Sequence, residues 1–220
     1  MSDSPVVAFL NKMTDLILLN ACWIICSLPI VTMGASTTAM YYVCIISIRQ
    51  GDGYVIRRFF QSFFRNFKQA TLLWLIVLGC GTILTLDIFF WCQLGTGFAR
   101  IMLVLSMAVA FMVCLVFQYL FPLLSRLDGK LWEQFRNAAA FAVGYLPYSL
   151  LLMVINVGFC YLNLISVQMN LITCFVGISV FAYIKSFFIY KVMMNHMDEK
   201  YDDWWNSEKM ENRTEREEER

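Results

Sequence analysis

Two stretches without charge constrain this chain more than anything else in it. Between Asp15 and Arg49 lie 33 residues with no Asp, Glu, Lys or Arg, and between Arg136 and Lys185 lie 48. A bilayer core of about 30 Å is crossed by roughly 20 apolar residues in a helix. The longer run exceeds one span and has its natural turn at Asn163 to Asn170. Between Lys68 and Arg100 only Asp87 interrupts, and 101–125 is uncharged. Helices are therefore expected near 69–92, 101–124, 138–162 and 170–193.

The first run divides at Leu28-Pro29-Ile30-Val31-Thr32-Met33-Gly34. Pro29 removes an amide donor and Gly34 permits a sharp turn. Residues 14–28 and 35–49 then form two short helices around an irregular segment. A hairpin there gives six spans and a single kinked helix gives five; six is the preferred reading. Irregular backbone at membrane depth needs cover from protein or a watery cavity, so the turn is either re-entrant or an exposed loop.

Composition agrees. The chain is 60% hydrophobic and 15% charged, against roughly 45–50% and about 25% in ordinary globular proteins. A soluble domain is excluded. Residues 1–197 hold 12 Lys/Arg against 6 Asp/Glu, and 198–220 hold 5 against 10. The expected fold is all-α: a polytopic membrane helix bundle of about six transmembrane helices with cytoplasmic interfacial helices. It forms one membrane domain over 1–197, with a broken hairpin at 14–49 and two similar hairpin units at 52–124 and 128–193. An acidic, disordered cytoplasmic tail follows at 198–220. The first uncharged run is too long for a cleaved signal peptide and lacks an A-x-A-like site, so the N-terminus is expected to stay attached.

Lysines and arginines near the spans set orientation. Arg49, Arg57, Arg58, Arg65 and Lys68 lie in 49–68, and Arg126, Lys130 and Arg136 in 126–136. The opposite loops carry only Arg100. A multi-pass cell-membrane protein with both termini in the cytoplasm is expected.

Ile56, Phe59, Phe60, Phe63, Phe64 and Phe67 recur at helical spacing, with Arg57, Arg58, Gln61, Ser62, Arg65 and Asn66 between them. This pattern predicts an amphipathic helix lying in the cytoplasmic interface. Arg57, Arg58, Arg65 and Lys68 are its basic side, which either anchors the next span on anionic lipid or docks a partner. Leu131, Trp132, Phe135, Ala138 and Ala139 repeat the pattern, and Ser4 is a candidate N-cap for a third such helix. Phe64-Arg65-Asn66 recurs as Phe135-Arg136-Asn137, and Asp52-Gly53 as Asp128-Gly129. These matches predict two parallel repeats.

Ionisable residues inside a membrane are the default functional candidates. Asp87 is placed near the outer interface and Lys185 near the inner one, where its stem can snorkel. The two are not expected to pair. Asn20, Thr32, Ser36, Thr37 and Thr38 crowd the broken segment, and Asn156 sits in the fifth helix. With Trp23, Pro29 and Gly34, Asn20, Thr32 and Thr38 make a candidate polar cluster. It either lines a small cavity or serves as interhelical glue.

Enzymatic constellations are missing. No HExxH, GxSxG or Walker-type motif occurs, and His196 has no ligand-type neighbour. The eight cysteines lack CxxC spacing, and all read as packing. No catalytic residue, metal site or cofactor is expected, and nucleic acid is not an expected partner. Trp204-Trp205 is placed back at the interface.

At Asn20-Ala21-Cys22-Trp23, over Leu28 to Ala35 and at Thr38-Ala39-Met40-Tyr41, with a second stretch at Phe60, Phe64, Asn66, Phe67, Lys68, Gln69 and Ala70, the chain resembles the YesL-like family of bacterial membrane proteins. The resemblance runs over roughly 5–197. That family is itself a domain of unknown function. It occurs in Gram-positive bacteria beside genes for carbohydrate ABC transporters, glycoside hydrolases and two-component sensors. The resemblance thus implies an accessory or regulatory protein of carbohydrate uptake, partnered by the bilayer and by a sugar ABC permease or sensor kinase. The alternative is a small-solute channel or transporter with a path near Pro29–Gly34.

Overall fold

Among the described residues six helices are long and apolar enough to cross a membrane, as the charge-free runs require. The computed structural model describes residues 5–50, 54–127 and 129–196. Helix α1 is Pro5–Ser27, and a 3-10 turn over Ile30–Thr32 leads into α2, Met33–Gln50. Then come α3, Val55–Leu94; α4, Gly97–Leu124; α5, Leu131–Gly144; and α6, Leu146–Ile165. The last pass is α7, Val167–Ile172, a π-helical turn at Thr173–Gly177 and α8, Ile178–His196. Among the described residues there is no strand. The expected cap Ser4, the turn residues Asp52, Gly53 and Asp128, and the tail 198–220 lie outside them.

The break at Pro29 to Gly34 reverses the chain. Trp23 Nε1 donates to Thr37 Oγ1 at 3.2 Å, and Lys12 Nζ donates to Ser47 Oγ. These bonds pair α1 and α2 antiparallel, so the single kinked helix is excluded. Helix α2 is the centre of the bundle: two thirds of its span is buried, against 6–28% for the other five. Its charge-free sequence is thus covered mostly by protein and only marginally by lipid.

What seats α2 is Gly34. A Cβ there would stand 2.5 Å from Trp74 Cβ and 2.6 Å from the Ala70 carbonyl oxygen. No other residue type fits so close an approach of two helices. Trp74 then locks the turn from outside, donating from Nε1 to the Ile30 carbonyl at 2.8 Å.

Helix α3 corrects the sequence expectation. The stretch 56–67 is not a separate interfacial helix; it is the first part of one 40-residue helix that runs on through the span. No Pro or Gly lies between Val55 and Gly79, so nothing interrupts a cooperative hydrogen-bond ladder. In the second unit the corresponding α5 does end, at Gly144, with Pro147 opening the next helix. The turn expected over Asn163–Asn170 is also shorter. It is Ser166 alone, whose Oγ accepts from Met169 N at 3.4 Å.

Beyond Trp74 the α3–α4 hairpin stands clear of the other helices. Between Leu75 and Phe98, and between Arg100 and Cys114, no residue is buried, and apolar side chains such as Ile83, Phe89, Ile101 and Val104 face outward. Gly95, at φ 59, and Thr96, whose hydroxyl accepts from Ala99 N, close this hairpin in two residues.

Gly34→Ala should lower the thermal midpoint of the detergent-purified protein by several degrees, since overpacking of this kind costs about 1–3 kcal/mol. An unchanged midpoint would mean that α2 and α3 are not seated through this contact.

Candidate functional site

The hydroxyls of the polar cluster expected at the helix break turn to nearby backbone carbonyls. Thr32 Oγ1 donates to the carbonyls of Cys26 at 2.6 Å and Pro29 at 2.8 Å. Ser36, Thr37 and Thr38 donate to the carbonyls four residues back, at Thr32, Met33 and Gly34. Each hydroxyl is spent on its own backbone, the local alternative open to Ser and Thr in helices. Pro29 is exposed, and Gly34 is closed off by Trp74.

Asn20 belongs elsewhere. It is fully buried, and its Nδ2 donates to the Cys174 carbonyl at 2.6 Å while its Oδ1 accepts from Ser179 N at 3.3 Å. Cys174 lies in the π turn and Ser179 just beyond it, where the i to i−4 ladder is interrupted. Ser179 Oγ donates back to the Leu16 carbonyl at 2.7 Å. One asparagine therefore supplies an acceptor and a donor to backbone groups that lipid cannot serve.

Lys185 is the second correction. It does not snorkel to an interface; its side chain is only 5% exposed. Its Nζ donates to Asn156 Oδ1 at 3.2 Å and stands 5.8 Å and 5.5 Å from the Tyr41 and Phe181 ring centres. Asn156 Nδ2 donates to Gln118 Oε1 at 3.3 Å, and Gln118 Nε2 donates to the Ser149 carbonyl at 3.1 Å. The Tyr119 hydroxyl lies 3.0 Å from Ser149 Oγ. An ammonium only donates, so Lys185 dictates the direction of both amides along this chain. Four elements meet in it: α2, α4, α6 and α8. Asp87, with its own partners, accepts from Trp91 Nε1 at 3.0 Å and from Ser106 Oγ, which ties α3 to α4.

The basic segment of α3 has three faces. Phe59, Ser62, Phe63, Asn66 and Ala70 are buried against the bundle. Ser62 and Asn66 were expected among the solvated residues; instead the Asn66 amide bonds back to Ser62 inside the packed face. Ile56, Phe60 and Phe64 point outward, Phe64 at 71% exposure. Phe59 and Phe63 stack, with Phe67 edge-on to Phe63, in one column, and Phe60 and Phe64 stack in another. Arg57, Arg65 and Lys68 form the third face, exposed, with Arg58 half-buried beside them.

This face continues onto the α4–α5 connection. The Arg65 and Arg126 guanidiniums stand 5.3 Å and 4.9 Å from the centre of the same Tyr42 ring. Gln69 Nε2 donates to the Gly129 carbonyl at 3.2 Å, and Lys130 and Arg136 are exposed on the far side of that connection. The bundle thus presents one end rich in fixed cations.

Residues 16–88 match the model of a family described as a protein of unknown function, DUF624. That is 73 of the 220 residues. No curated protein matches, and no solved structure does. The matched stretch holds Asn20, Trp23, the break, the basic face and Asp87. It leaves out Lys185 and its whole hydrogen-bonded chain, and holds only Tyr41 of the groups around that ammonium. Among the described residues no three His, Cys, Asp or Glu side chains come together in a way that would hold a metal ion.

Sequence reasoning missed Trp74, Gln118, Ser149 and Tyr119. Gln118 had a usable signal, since an amide within an otherwise apolar span must find a partner across helices. Trp74 and the π turn had none.

Asn156→Leu removes the hydrogen-bond acceptor of a buried charge, a loss of about 3–5 kcal/mol. Lys185→Met removes the charge and keeps the volume, so the thermal midpoint should fall less, and the double variant should recover part of the Asn156→Leu loss. Additive losses in that cycle would show that the two side chains are not coupled.

Proposed function

We propose that this chain is a YesL-like, non-enzymatic accessory or regulatory protein of the cell membrane that docks a partner on the basic face of α3. The observation behind this reading is that Arg57, Arg58, Arg65 and Lys68 sit on the same uninterrupted helix as a membrane span. A basic strip on such a helix is held at constant height and orientation, and it needs no folding on contact. Rigid placement of charged groups lowers the ordering cost of binding, and their field steers an acidic partner to the surface. The family resemblance supplies the partner class, a permease subunit or sensor kinase of carbohydrate ABC uptake in a Gram-positive bacterium. With the basic end in the cytoplasm, both termini are cytoplasmic, as the positive-inside rule favours.

The channel reading has less support. At the break every hydroxyl is bonded to nearby carbonyls, and the indole of Trp74 lies across the turn.

Crosslinked affinity purification from the native host, grown on complex carbohydrate, is the direct test. A permease subunit or sensor kinase should co-purify and be lost when Arg57, Arg58 and Arg65 are changed to Gln. Recovery of the protein alone, with and without the substitutions, would sink the docking reading.

A further inference from the structure

The acidic segment 198–220 has no role in the docking reading, and its charge is opposite to that of the surface nearest its origin. It carries ten Asp/Glu and five Lys/Arg, together with Trp204 and Trp205. The place where it leaves the bundle follows from packing. Val192 and Met193, near the end of α8, are buried in one cluster with Leu127 of the α4–α5 connection. Two residues further along that connection Gly129 bonds Gln69, the neighbour of Lys68 on α3. Arg126 of the same connection shares the Tyr42 ring with Arg65. The chain therefore leaves α8 at the end of the bundle where the α4–α5 connection meets the basic strip.

Reach is ample. From Arg57 to Lys68 the strip is about 17 Å long at 1.5 Å per residue, whereas 24 residues beyond His196 extend to roughly 80 Å at about 3.3 Å each. Chemistry fits as well. Paired carboxylates meet guanidinium forks, and indole faces take arginine by cation–π contact.

We infer that residues 198–220 dock on the Arg57, Arg58, Arg65 and Lys68 face of their own chain and act as an internal competitor for the partner that binds there. The inference rests on the docking reading for its consequence and on charge and placement for the contact itself. Partner binding then requires displacement of the tail, and anything that weakens the tail's charge attraction opens the face.

The contact is tested on the full-length protein alone, in nanodiscs of neutral phosphatidylcholine, with photoreactive p-benzoylphenylalanine in place of Trp204. Irradiation should crosslink position 204 to residues 57–69 of the same chain. Yield should fall several-fold in 1 M salt, where the Debye length is about 3 Å, and likewise in the Arg58→Glu, Arg65→Glu, Lys68→Glu variant. Changing Glu215, Glu217, Glu218 and Glu219 to Lys in that variant should restore it, which separates lost attraction from lost folding. Crosslinks to lipid, to another copy or to another segment would overturn the inference, as would a yield indifferent to charge reversal. Because no partner is present, failure here leaves the capture experiment standing, and failure of capture leaves this contact standing.

Discussion

The approach of α2 to α3 at Gly34 is the constraint from which the rest of the bundle follows. Two helices this close exclude even a methyl group, and the indole of Trp74 closes the turn above them. With α2 seated against the first twenty residues of α3, its own aromatic pair Tyr41-Tyr42 is delivered to the place where α3, α8 and the α4–α5 connection converge. Tyr42 then accepts two guanidiniums on one ring, and Tyr41 faces the Lys185 ammonium. Moving α2 outward by the width of a methyl would loosen all three contacts at once.

A second principle governs the polar groups. Where neither lipid nor close-packed protein offers water, each donor and acceptor must be met from within. The groups at the break and those around Asn20 and Lys185 are met in two ways. Hydroxyls at the break bond locally to their own helix, and amides bond across helices. Asn20 serves the π turn, while Asn156 and Gln118 carry the donor direction set by Lys185 toward Ser149. Long-range amide bonds also fix which helices are neighbours, because lipid-facing apolar side chains discriminate little between one neighbour and another.

The three-faced segment of α3 joins these themes to function. One helix presents a packed side, an exposed apolar side and a basic side within four turns. The aromatic columns Phe59–Phe63–Phe67 and Phe60–Phe64 form the boundary between two of them. Continuity with the span turns what would be an anchor floating in the interface into a rigid bracket, and the proposed docking on the basic face rests on that rigidity.

The sequence by itself determined that this is an all-helical membrane protein, that the chain breaks at Pro29 to Gly34, and where its cations gather. Those properties follow from local composition: hydrophobic run length, a missing amide, a permitted turn. The periodicity of Ile56 to Phe67 announced an amphipathic helix, yet it could not reveal that Ser62 and Asn66 are packed inside or that the helix continues unbroken. Nor could it join Asn20 to a turn more than 150 residues away, or bring Lys185 to Asn156. Only the tertiary structure decided those pairings. In a bundle whose helix surfaces are mostly apolar, what distinguishes one neighbour from another is the shape at Gly34 and a few hydrogen bonds, and neither leaves a periodic trace in the chain.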